Sequence, residues 1–417
     1  MSRIVALCFL LLAAVLGFLH IDSRPVWAPF VVPAFPQTEE VADETVTTTP
    51  KTKAPSKAIA PASQANWLPD TGAPSVHAAS LIVLKDGAVR AFWFAGSREG
   101  AADVSIYSSV YDSHSANWSA PTVVMDRVSA EKGLLRYIAK LGNPVPSRLP
   151  DGRLQLFFVT VSIGGWAGSS ISAITSDDEG LTWSHPQRLI ASPLLNLSTL
   201  VKSPSVSFTD GLLGLPAYHE WVGRFGEFLR VDAGRVIDKR RMSSGRSAIQ
   251  PLMFVNDAQD ASAYFRQTRS SGLPKQIPVG STQNAGQNWQ QSEDLAIANP
   301  NSAVAGVTLK NGARILALNN IEYGRHRLVL MMSSNKSGQW QTVEVLEDDE
   351  ALPDAQRKEF SYPYMITVDG NDAHLAYTWD RKKIRHRYFS GAWLKQALTK
   401  IQAQALDTEA QRAEVQQ

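Results

Sequence analysis

The 417-residue chain sets 41 Lys and Arg against 39 Asp and Glu, a formal charge of +2, with no basic stripe that would fit nucleic acid. Its one cysteine, Cys8, excludes a disulfide framework and a cysteine-ligated metal, and eight scattered histidines lack ligand spacing, so no metal or cofactor is expected. An apolar content of 44% supports a large core, either one large all-β domain or two ordinary ones.

Taken in chain order, Arg3 precedes an uncharged run from Ile4 to Leu19, between a signal-peptide core and a full membrane span in length. Residues 1–24 are expected to form a hydrophobic helix. With no Ala-x-Ala site in the His20, Ile21, Asp22, Arg24 stretch, the reading is a signal anchor tethering the protein to the periplasmic side of the inner membrane. A cleaved signal peptide, with a periplasmic or secreted product, is the alternative. Residues 25–74, rich in Pro, Thr and Ala, have the composition of a disordered tether.

From Ser75 to Leu394 the texture is that of short strands: Ser80–Leu84, Val89–Phe94, Leu154–Val159, Ile171–Thr175, Arg314–Leu318, Leu328–Met332 and His374–Trp379. Asp86-Gly87, Asp151-Gly152, Asp210-Gly211, Asn311-Gly312 and Asp369-Gly370 are favoured tight turns among them. The run Ser176-Asp177-Asp178-Glu179-Gly180-Leu181-Thr182-Trp183 reads as a polar hairpin, with weaker echoes ending at Trp289 and Trp340 and a poor one at Trp118. About 320 residues at roughly 50 per four-stranded unit predict an all-β, six-bladed propeller over 75–394. Five or seven blades, or two stacked sandwiches, are the alternatives. The polar tail, 395–417, has helical propensity but little to bury.

Chemistry-bearing residues stand at strand ends. Arg98 and Asp103 follow the aromatic strand Phe92-Trp93-Phe94, and Glu220 sits in Tyr218-His219-Glu220-Trp221. Arg246, Arg325 and Arg327 border strand-like segments, Arg136 lies in Leu135-Arg136-Tyr137, and Tyr362 falls within Glu359-Phe360-Ser361-Tyr362-Pro363-Tyr364. Taken singly, each also fits a structural role: a salt-bridged turn, an interblade ion pair, or a satisfied polar residue at a strand start for His77.

The hairpin resembles the Asp-box, or BNR repeat, of sialidases. The order of Arg98, Asp103, Glu220, Arg246, Arg325-x-Arg327-Leu and Phe360-Ser361-Tyr362 resembles that of a sialidase site. Asn299-Pro300-Asn301-Ser302, Glu359-Phe360-Ser361-Tyr362-Pro363 and Tyr377–Arg381 resemble bacterial sialidase-like proteins described as predicted neuraminidases, over roughly residues 75 to 390. The resemblance implies a propeller of the sialidase type, with Asp103 as acid/base, Tyr362 as nucleophile and Glu220 as the acceptor of its proton. It implies Arg246 and Arg325 in a carboxylate-gripping cluster, with Arg327 as the near alternative to Arg325. Where sialidases open this series with Arg-Ile-Pro, this chain has His77-Ala78-Ala79. That departure bears on sialic acid as substrate more than on the anionic pocket. Arg98, His77 and Arg136 are the further substrate-binding candidates.

These residue types suit one reaction. Arginine grips a carboxylate at the anomeric carbon through a rigid fork of donors. A neutral tyrosine avoids the repulsion that a carboxylate nucleophile would meet there, provided Glu220 takes its proton. Asp103 must start protonated, which calls for a less polar place than an ordinary surface site. The expectation is a retaining exo-glycosidase acting on a terminal 2-keto-3-deoxy sugar, such as sialic acid or 3-deoxy-D-manno-octulosonic acid (Kdo), in an envelope glycan. Sialidase-like components of two-component Kdo hydrolases would add a partner protein. A non-catalytic glycan- or protein-binding propeller, and a lyase or hydrolase for uronate-containing glycan, are the competing readings.

Overall fold

The computed structural model describes residues 3–20, 26–32, 62–113, 115–192, 196–245, 247–269, 274–334 and 339–415. Alternating and doubly apolar runs form strands, and all the paired strands are antiparallel within six separate sheets. Six blades therefore form, as the repeat length predicts. The strands that open them are Ser75–Val83, Lys140–Arg148, the interrupted pair Leu200–Val201 and Val206–Ser207, Ala248–Val255, Ala305–Thr308 and Phe360–Val368. The Asp-Gly and Asn-Gly pairs turn each opening strand of blades 1, 2, 3, 5 and 6 into its second strand; Gly87 (φ 86°) and Gly152 (φ 86°) show why glycine serves there.

Blade 6 is closed from the other end of the chain. Ser63–Trp67 pairs with Lys383–Phe389 in the register Ser63 to Phe389 and Trp67 to Arg385, so the outer strand pairs with residues over 300 positions away in sequence. This strand lies within the stretch read as tether from composition. So does Val26–Val32, where Trp27 (3% exposed) and Phe30 (1%) pack on Phe208 and Phe228 between blades 3 and 4. Trp27 Nε1 also donates to Asp238 at 2.9 Å. Burying an aromatic side chain of this size contributes roughly 1.5–3 kcal/mol, which a mere tether would not supply. The rest of that stretch, 33–61, lies outside the described residues.

The N-terminal expectation is corrected. Arg3–His20 is helical, but no helix among the described residues is long and apolar enough to cross a membrane. Eighteen residues rise about 27 Å, charged or polar at both ends, short of a hydrocarbon core about 30 Å thick. The expected signal anchor and inner-membrane tether thus have no membrane-crossing helix among the described residues to support them. At the other end, Gly391–Val415 is a helix whose Leu394, Ala397, Leu398 and Ile401 are buried against the core of blades 5 and 6, so part of the tail does have something to bury.

The hairpin at Ser176–Trp183 is held by its aspartate. Asp178 Oδ1 accepts from the Leu181 and Thr182 amides at 3.0 and 2.9 Å, and Oδ2 accepts from the Thr182 hydroxyl at 2.6 Å. Ser176 Oγ accepts from the Gly180 amide at 2.8 Å, and Gly180 takes φ 90°. The echo ending at Trp289 repeats this with Thr282 and Asn284 in place of Ser176 and Asp178. These hairpins follow the third strand of their blades, at the end away from the second-to-third-strand loops that carry Asp103 and Glu220.

Candidate active site at the mouth of the propeller

One backbone feature recurs at the opening strand of every blade. Ala78, Asn143, Ser198, Gln250, Asn301 and Tyr362 all take positive φ, between 46° and 64°. In blades 1, 2, 4 and 6 the residue sits in a bulge, between His77 and Ser80, Gly142 and Val145, Ile249 and Leu252, and Ser361 and Tyr364. A bulge re-aims a side chain and interrupts pairing, and non-glycine residues held there carry strain that the surroundings must offset. Here the support comes from shared partners: Tyr218 OH accepts from Asn143 Nδ2 at 3.3 Å and Gln250 Nε2 at 3.2 Å, and Arg266 joins Gln250 to Asn301 and Tyr362.

Arg266, near the end of strand Ala261–Gln267, donates through Nε to Asn301 Oδ1 at 2.7 Å. Its Nη1 stands 3.4 Å from Gln250 Oε1 and 3.5 Å from the Tyr362 hydroxyl. No carboxylate ion-pairs with Arg266 among the described residues. Glu220 lies close enough to feel its charge; burial raises the Glu220 carboxyl above its usual range, opposed by Arg266 and Arg224. Its amide donates to Ser198 Oγ at 2.8 Å, which fixes the loop. No hydrogen bond joins Tyr362 to Glu220 among the described residues; Tyr218 lies within electrostatic reach of both, and burial holds its phenol far above the ordinary range.

Beside Tyr362 lies His77, 1% exposed, its ring centroid 4.4 Å from that of Tyr362 and 5.6 Å from that of Phe94. Neither imidazole nitrogen has a hydrogen-bond partner. Burial lowers its pKa to about 4, against the pull of Glu99, so the ring is neutral near pH 7. Next to it runs a chain of charges. Arg325 Nη1 pairs with Glu359 Oε1 at 3.0 Å and its Nη2 donates to the Asn301 carbonyl at 2.9 Å; Arg381 joins Glu359, at 3.0 Å through Nε, to Glu99. Burial would raise Glu359, but the nearby Ser361 hydroxyl and the two arginines outweigh it and bring the carboxyl to about 2. The cluster is thus two cations against two anions.

The side chains of the remaining described candidates make no hydrogen bond or ion pair with Tyr362, Arg266 or Arg325 among the described residues. Asp103 is exposed, held by the Ser97 amide and hydroxyl at 2.9 Å each, and the Ser97 bonds lower its pKa. The expected less polar surrounding is not met, because Asp103 is exposed on a blade 1 loop and bonded to Ser97. Arg98 is exposed on the same loop. Arg327 pairs with Glu350 at 2.9 Å and Asp348 at 3.6 Å along blade 5, so of the two alternatives Arg325 joins the cluster. Arg136 reaches Ser170 Oγ at 3.4 Å on blade 2 without touching Tyr362 or Arg266. Arg246 lies outside the described residues.

Residues 87–375 match the BNR repeat-like domain family. The chain belongs to that family. No curated protein matches the sequence. Among solved structures, the BNR repeat-like domain here is similar to the Hadza microbial sialidase Hz136 (13% identity, TM-score 0.62, covering 76% of this chain and 66% of that one). It is similar to the NanB sialidase of Streptococcus pneumoniae (12%, 0.59, 77% and 69%) and to a protein of unknown function from Dyadobacter fermentans (12%, 0.61, 78% and 97%). At such identities these likenesses establish the fold of sialidases.

Sequence reasoning missed four residues of this BNR repeat-like domain: Arg266, Arg381, Tyr218 and Lys202. A signal existed for the first two. Second strands end at the mouth, where Glu220 lies, and a charged residue closing a run such as Ala261-Ser-Ala-Tyr-Phe-Arg266 or Tyr377-Thr-Trp-Asp-Arg381 falls at the same end.

Proposed function

We propose that this protein is a glycoside hydrolase that removes a terminal acidic 2-keto-3-deoxy sugar, such as sialic acid or Kdo, from a glycan or glycoconjugate. The observation that carries the reading is Arg266 beside the Tyr362 hydroxyl with no carboxylate of its own. A guanidinium so placed can take the sugar's carboxylate while the phenol faces the anomeric carbon. Arg325 then stands second to it, already engaged by Glu359.

In the proposed reaction the substrate carboxylate binds Arg266, with Arg246 and Arg325 as further contacts. Tyr362 attacks the anomeric carbon and gives its proton to Glu220, whose raised pKa suits a base poised closer to neutrality. Asp103 protonates the leaving oxygen and later activates water, and two displacements give retention. For that role the bound sugar must exclude water from Asp103 and loosen its Ser97 bonds. His77, neutral where sialidases carry an arginine, offers one donor and one acceptor rather than a charge, which favours an acidic sugar with a hydroxyl at that position.

The glycan of a cell envelope fits a protein acting outside the cytoplasm, periplasmic or secreted. A partner subunit belongs to the two-component version. The test is release of free acid from umbelliferyl glycosides of sialic acid and Kdo and from lipopolysaccharide, by wild type and Tyr362→Phe. Release abolished in the variant supports the reading; intact substrates throughout contradict it. The low pKa of Asp103 favours a second reading, a non-catalytic glycan-binding propeller. It predicts binding of the acidic sugar without release.

A further inference from the structure

Lys202 follows the inner segment Leu200–Val201 of blade 3 and is 5% exposed. Its ammonium reaches across to two other blades: it donates to the Pro363 carbonyl in blade 6 and to the Val304 carbonyl, at 3.4 Å, at the start of blade 5. The Tyr364 ring centroid lies 5.7 Å away. No carboxylate pairs with it among the described residues, and burial together with the charge of Arg266 lowers its pKa to about 7. A buried ammonium without a counter-ion costs stability that a methionine of similar length would not. What it holds is specific. Pro363 directly follows Tyr362, whose backbone sits at φ 52° in the bulge between Ser361 and Tyr364. Pro204 and Tyr364, close to this link in sequence, line a cavity of about 750 Å3.

We infer that Lys202 is a positioning residue: it ties blades 3, 5 and 6 together beneath Tyr362 and fixes the strained turn that presents the hydroxyl to Arg266. The catalytic meaning of this rests on the glycosidase reading, whereas the placement of Tyr362 does not. The link acts on the Pro363 carbonyl, while Arg266 acts on the phenol. Removing the charge frees the turn to relax out of the left-handed region.

The test uses the full chain with Lys202→Met and Lys202→Ala, each crystallised, melted and assayed. Lys202→Met is expected to melt no lower than wild type, to show the Pro363 carbonyl turned and the Tyr362 hydroxyl withdrawn from Arg266, and to lose at least about tenfold in kcat with KM within about threefold. Propylamine should restore part of the Lys202→Ala activity and none of the Lys202→Met activity. A Lys202→Met crystal structure with Tyr362 and Pro363 unmoved overturns the inference even if the wild type proves inactive on every glycoside. Collapse of both variants would make Lys202 a determinant of the fold and overturn it too.

Discussion

The imidazole of His77 packs on the phenol of Tyr362 with ring centroids 4.4 Å apart, and neither of its nitrogens is hydrogen-bonded. Burial keeps this ring neutral near pH 7. Its pKa is lowered to about 4, so the folded protein refuses a proton that the unfolded chain takes near pH 6.5. The associated stability is complete above pH 6.5 and is lost as pH falls toward 4. Urea midpoints at pH 7 and pH 5 should differ, and His77→Phe should reduce that difference by roughly 2 kcal/mol. The same pH sensitivity in both proteins would contradict the assignment.

Arg266 is half-buried and bonded to amides and a phenol rather than to carboxylates. Its replacement by Met should leave the melting temperature within a few degrees but weaken binding of free sialic acid or Kdo by calorimetry at least about tenfold, as a lost charge-assisted contact of roughly 1.5–3 kcal/mol implies. Arg327→Met, which breaks only contacts to Glu350 and Asp348, should leave binding unchanged.

Glu220 titrates above the ordinary carboxylate range because it is buried. A base there is active only when ionised, so kcat/KM should fall on the acid side at a pH above that of a typical glutamate. Glu220→Gln should abolish this limb along with most of the activity. A limb that survives in Glu220→Gln belongs to another group.

Trp27 and Phe30 fasten the N-terminal segment between blades 3 and 4. Trp27→Ala or Phe30→Ala should each cost about 3–5 kcal/mol by chemical unfolding, the range for a buried aromatic truncated to Ala. A tether would show no loss.

The propeller could be read from the chain because its hairpins and Asp-Gly turns are local: Asp178 bonds residues three and four positions on, and the bond four positions on recurs at Asn284. What joins distant parts was hidden. The closing strand Ser63–Trp67 is mostly exposed, so it carries no apolar alternation, and it stands among prolines and alanines. The C-terminal helix had a readable stripe in Leu394, Ala397, Leu398 and Ile401, at the spacing of one helical face. In the site, Tyr362 and Glu220 stood out by their neighbours, Arg266 was passed over for Arg246 at a strand border, and Lys202 gave no signal because its partners are backbone carbonyls of other blades.

The most direct measurement is mass spectrometry of the protein after exposure to 2,3-difluoro derivatives of sialic acid and Kdo, which trap a glycosyl-enzyme. The account predicts an adduct of one sugar that maps to Tyr362 and is missing in Tyr362→Phe. Turnover of a glycoside with no adduct, or with an adduct on any other residue, would contradict it.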